Sequence, residues 1–83
     1  MNKNDILKKI EEVAQDVLDL PELKLEMTST VEHIDEWDSL AHINIISQLE
    51  KTFSIKFTLS EIAHFSSIGK LVDAIENKKP ADF

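Results

Sequence analysis

The chain has 83 residues, with 16 acidic and 9 basic side chains, a formal net charge of −7, one glycine and no cysteine. That length supplies one small domain, and with no disulfide and no cluster of zinc-ligand spacing its core has to come from packed helices. The acidity argues against nucleic acid, whose phosphates need a basic surface, and against anionic membranes. No apolar run is long enough for a signal peptide or a membrane span, so no membrane insertion and a cytoplasmic location are expected.

In chain order, a first helix is expected from Asn4 or Asp5, either of which can cap it, to Leu18. Ile6, Leu7, Ile10, Val13, Ala14, Val17 and Leu18 fall within an arc of about 140° at roughly 100° per residue, while Lys8, Lys9, Glu11, Glu12 and Asp16 take the solvated side. Pro21 marks the far side of its end. From residue 20 to 38 the pattern loses its period. A connection this long needs a function or tethering by its own side chains, for which Leu23, Leu25, Val31 and Ile34 are available. Trp37, the only tryptophan, is expected to pack over the entrance of the next helix as an apolar anchor.

At Glu36-Trp37-Asp38-Ser39-Leu40 the connection gives way to a second helix ending at Phe53. Asp38 is a good N-cap, because its carboxylate can accept from N–H groups that the first turn leaves unpaired. Ser39 then opens the helix, with its hydroxyl at the positive end of the helix dipole, where an attached phosphate is favoured. The residue is placed to carry a phosphodiester.

With Ile45 as zero, Ile46, Leu49 and Phe53 share an arc of about 100° that faces a core. Leu40, Ile43 and Ser47 lie roughly 160° to 220° away, flanked by Glu50 and Lys51, and form a second strip just below the serine. Residues 25–50 hold six acids (Glu26, Glu32, Asp35, Glu36, Asp38, Glu50) and no Lys or Arg. The Ser39 end is therefore expected to present a negative field to basic partners.

Residues 54–58 alternate polar and apolar. With no second strand to pair with, they are read as an extended connector that lowers Ile55 and Phe57 into the core. A short third helix follows from Ser60 to His64, capped by Thr58 or Ser60. Ser66 or Ser67 caps a last helix whose Ile68, Leu71, Val72 and Ile75 share one face. Lys78 and Lys79 suit the negative end of that helix, and Pro80 stops it.

Catalytic and metal readings fail on geometry. Ser39 and His42 lie about 60° apart on the wheel, but His42 points within the arc of Ile45 and Leu49, and too little chain remains to build an oxyanion site or enclose a substrate. His33, His42 and His64 match no helix-borne ligand pair, and residues 32–38 lack the glycine and alternating oxygens of an EF-hand. No functional metal is expected.

The Asp38-Ser39-Leu40 triplet resembles the signature of the acyl carrier protein family, and Leu49-Glu50 through Phe53, Ile55, Phe57 and the short third helix continue the likeness over nearly the whole chain. The resemblance implies an all-α fold spanning residues 1–83: a small four-helix bundle of three longer helices and a short helix III, with a long loop between helices I and II. It further implies that a phosphopantetheinyl transferase attaches phosphopantetheine from coenzyme A to Ser39, flanked by Asp38 and Leu40 as recognition residues. Acyl groups then ride on the arm as thioesters. The domain catalyses nothing and acts as a monomer.

Acyl-loading and acyl-transfer enzymes with basic surfaces are expected to dock on Ile43, Ser47, Glu50 and Glu36. Ile45, Leu49, Phe57, Ile62, Phe65 and Leu71 are the interior that could part around an acyl chain, since each buried methylene is worth about 0.8 kcal/mol. The chain also departs from the housekeeping fatty-acid carriers, which have a glycine shortly before the serine where this one has Glu36. They also have acids where it has Ala41, His42 and Asn44. Those departures point to a dedicated carrier in polyketide, peptide or polysaccharide chemistry. The same attachment logic serves a peptidyl or aminoacyl carrier, and the surface would also serve a helical adaptor without the arm.

Overall fold

The computed structural model describes residues 2–63 and 65–78. They form α1 (Lys3–Leu18), a 3₁₀ turn at Val31–His33, α2 (Ser39–Phe53), α3 (Leu59–Ala63) and α4 (Ile68–Asn77). Among the described residues there is no strand beyond an isolated bridge between Thr30 and Ser67. None of these helices is long and apolar enough to cross a membrane. The expected all-α architecture is the observed one.

Helix α1 begins earlier than its periodicity suggests. Its cap is Asn2, not Asn4 or Asp5: the Asn2 Oδ1 accepts from the Asp5 N–H at 2.9 Å. Asp5 thereby lies in the first turn, where the helix dipole favours a carboxylate. Both α1 and α2 end on a left-handed residue that is not glycine, Asp19 with φ 57° and Ser54 with φ 56°. Each conformation costs roughly 1–2 kcal/mol. In return it turns the next amide back onto the helix: Leu20 N–H donates to the Gln15 carbonyl and Ile55 N–H to that of Glu50, both at 3.0 Å.

The core is the junction of three faces: Ile6, Ile10 and Ala14 of α1, Ile45, Ile46 and Leu49 of α2, and Ile68, Leu71, Val72 and Ile75 of α4. Helix α1 packs against both α2 and α4. Ile55 and Phe57 are buried from the extended connector.

Residues 19–38 are tied down by more than their own apolar side chains. Leu25 is buried, and Leu23, Val31 and Ile34 pack on the core. In addition Glu11 accepts from the Leu25 N–H at 2.8 Å, and Gln15 Nε2 donates to the Leu23 carbonyl at 2.8 Å. Glu11 was expected on the solvated side of α1. It is half-buried because the connection folds back over that side.

The same connection completes α4. The first amides of a helix have no partner within it; here Ile68 N–H donates to the Ser29 carbonyl at 2.8 Å and Gly69 N–H to that of Met27 at 2.9 Å. Ser67, not Ser66, is the cap, accepting from the Lys70 N–H at 3.3 Å.

Helix α3 starts at Leu59 rather than Ser60, behind a reciprocal capping pair. Thr58 N–H donates to Glu61 Oε1 at 2.8 Å, and Glu61 N–H to Thr58 Oγ1 at 3.1 Å. Lys78 does not serve the end of α4 as its position suggests. Its ammonium pairs with Glu61 at 3.1 Å and lies 5.4 Å from the centre of the Phe57 ring, which supplies a carboxylate and a π face together. The expectations for His64, Lys79 and Pro80 fall outside the described residues.

Candidate functional site

Ser39 is the first residue of α2 and is exposed. Capping duty falls on its neighbour: Asp38 Oδ1 accepts from the Ala41 N–H at 2.8 Å, and the Asp38 carbonyl from the His42 N–H at 2.9 Å. The serine hydroxyl is therefore not consumed in starting the helix. It stands at the positive pole of a 15-residue dipole.

The surface around it is apolar. Leu40 is 69% exposed and Ile43 58% exposed on α2, and Leu59 of α3 is 86% exposed. Ser47 and Glu36 are exposed too. Glu50 differs, being half-buried with Oε2 accepting from the Phe57 N–H at 2.8 Å. The first turn of α2 holds no acid, so negative charge near the serine comes from Asp35, Glu36 and Asp38, all exposed on the approach to the helix.

Beside Ser39 a groove of about 440 Å³ opens between α2 and α3, with Trp37, His42 and Ile43 on one wall and Leu59, Ile62 and Phe65 on the other. Of the six residues read as a shelter for cargo, only Ile62 and Phe65 reach this groove. Ile45, Leu49 and Leu71 are at most 1% exposed in the core, and Phe57 meets Phe65 edge-on at 5.1 Å.

Trp37 is buried over the start of α2, 6% exposed, as its place before the cap suggests. It also makes a bond that sequence reasoning missed: its Nε1–H donates to His42 Nδ1 at 2.9 Å. His42 Nε2 in turn lies 3.1 Å from the Ile62 carbonyl. The spacing of Trp37 and His42 carries no helical periodicity across the cap, so nothing local announces the pair. Gly69 was missed as well, although its being the only glycine, inside a helix where glycine is unfavourable, was a readable signal.

A small helical bundle with an exposed serine at a helix mouth and an apolar rim is suited to carrying a group. Comparison with known proteins agrees. The family described as "Phosphopantetheine attachment site" matches residues 8–75, and the chain belongs to that family. It is a carrier protein with a covalently attached phosphopantetheine, not an enzyme, and it works with enzymes that load and transfer acyl groups.

Among solved structures, the solution structure of a holo acyl carrier protein from Geobacter metallireducens is similar, with a TM-score of 0.79 and 33% identity over 87% of this chain and 83% of that one. No match was found among curated protein sequences.

The residues present suit the prosthetic group. A phosphodiester on Ser39 would meet the open N-terminal turn of α2, and the groove offers the arm apolar walls.

Proposed function

We propose that Ser39 is the attachment residue and that the chain, as one monomeric domain, carries acyl groups as thioesters in a dedicated pathway. The observation that carries this reading is an exposed hydroxyl at the first position of α2 whose capping work is done by Asp38. A phosphopantetheinyl transferase joins the Ser39 oxygen to the phosphorus of the arm, breaking the pyrophosphate bond of coenzyme A and releasing adenosine 3′,5′-bisphosphate and the hydroxyl proton. Asp38 and Leu40 are the neighbours it reads.

Docking falls to Leu40, Ile43, Ser47 and Glu36, all exposed. Glu50 adds less, since one of its oxygens is held by Phe57. The absence of acids from the first turn of α2 supports partners that read shape and apolar contact over charge alone, which fits a specialised polyketide, peptide or polysaccharide system.

Cargo that is apolar meets Ile62 and Phe65 first, while Ile45, Leu49, Phe57 and Leu71 would take it only if the core parts.

The direct test is intact mass after incubation with a broad-specificity phosphopantetheinyl transferase and coenzyme A. Wild type should gain one arm and Ser39→Ala none. An unmodified wild type removes the proposal in favour of an adaptor that binds partners without the arm, and equal gain in both removes Ser39 as the attachment residue.

A further inference from the structure

Trp37 and His42 belong to the two sides of the cap at Asp38, and Ile62 belongs to α3, yet one imidazole joins all three. The indole Nε1 can only donate, so His42 Nδ1 has to be an acceptor and carries no proton. The Ile62 carbonyl can only accept, so His42 Nε2 has to carry the proton. The two partners together select one neutral tautomer.

The Ile62 carbonyl is among the last of α3; among the described residues, its other bond is a long one of 3.4 Å from the Phe65 N–H. His42 is thus the polar tie between the two walls of the groove beside Ser39.

We propose that His42 is a positioning residue which, as the neutral Nε2–H tautomer, fastens Trp37 and α3 together and holds the two walls of the groove beside Ser39 at their observed spacing. Protonation replaces the acceptor that Trp37 needs with a second donor, so two N–H groups face each other where one bond had been.

Few other charges stand nearby. Among the described residues lining the groove, Asp38 is the only other titratable group, and its Oδ1 is engaged by Ala41. On α3, Glu61 is turned to Thr58 and Lys78. Asp35 and Glu36, just before Trp37, are exposed.

The tie itself does not depend on the carrier reading; only its consequence for cargo does. The experiment therefore begins with protein lacking the arm, in a His33→Gln/His64→Gln background that leaves His42 as the sole imidazole. Imidazole ¹⁵N correlation spectra at about pH 8 should show the Nε2–H tautomer, and a dominant Nδ1–H tautomer overturns the proposal. Emission from Trp37, the only tryptophan, should shift at fixed pH in His42→Phe, which takes away the acceptor of the indole N–H. An unchanged spectrum likewise overturns the proposal.

For the consequence at the groove, a short acyl thioester on the arm is treated with hydroxylamine at fixed pH. Cleavage should be several-fold faster in His42→Phe than in the parent, and equal rates overturn the claim that the tie holds the walls of the groove together. If His42→Phe fails to fold, the tautomer spectrum of the parent still decides. A protein never modified at Ser39 fails only in this last arm.

Discussion

The amide of Gly69 donates to the carbonyl of Met27 at 2.9 Å, and a β-carbon built on Gly69 would sit 2.8 Å from that same oxygen. This contact is where the connection after α1 is pressed onto the start of α4. It explains why the chain's single glycine lies within a helix.

Gly69→Ala sets two effects against each other. Alanine favours the helix by up to about 1 kcal/mol, but the contact is with backbone, which yields only by moving the connection, and such overpacking costs about 1–3 kcal/mol. Sterics should win. Urea unfolding should show a net loss of about 1–2 kcal/mol; a variant as stable as wild type would mean that the Met27 segment moves freely.

Asp38 caps α2, and its charge is also proposed as part of what the transferase reads. The two roles separate by substitution. Asp38→Ala should lose about 1 kcal/mol of stability, whereas Asp38→Asn, an equally good cap, should lose only a few tenths. Both should slow attachment of the arm. Wild-type modification rates for the Asn variant would show that only the cap matters.

Leu40 and Ile43 are exposed apolar side chains beside Ser39. Leu40→Ser and Ile43→Ser should each leave stability within about 0.5 kcal/mol, as surface changes do. If they anchor partner enzymes, kcat/KM for transfer of the arm should fall about tenfold, the equivalent of roughly 1.4 kcal/mol of lost contact. Lys8→Ala, exposed on α1 and outside the docking strip, serves as the neutral control. Unchanged kinetics in both leucine and isoleucine variants would place docking elsewhere.

The Glu61 carboxylate is held below its ordinary value, first by the hydrogen bond from the Thr58 N–H and then by the Lys78 ammonium. Because the folded value is the lower one, this stabilisation is present above the unfolded carboxylate's range and is lost as pH falls through the folded value. Glu61→Gln keeps an oxygen for Thr58 but no charge. Wild type should melt slightly higher than the variant at neutral pH, and the gap should begin to narrow near pH 4.5 and close as the pH falls through the lower folded value. A gap that persists in acid would assign the effect to packing.

Much of the site was readable because it is local. Asp38 caps α2 and Ser39 opens it through contacts spanning three residues, and such contacts depend on residue type and spacing alone. The faces of α1, α2 and α4 were readable for the same reason, since a helix repeats its apolar positions along its own sequence. Asn2 was not, because Asn4 and Asp5 are equally good caps and only the backbone path distinguishes them.

By itself, then, the amino-acid sequence determined which stretches coil, which side chains turn inward and which hydroxyl stands at a helix mouth. Tertiary structure decided the rest: that Glu11 holds the Leu25 amide, that Glu50 holds the Phe57 amide, that Gly69 lies against Met27, and that His42 joins Trp37 to α3. Each of these depends on a partner amide, carbonyl or ring whose position follows from the packing of other segments. A polar side chain is identical in sequence whether it meets water or a buried amide, and only the assembled fold chooses between them.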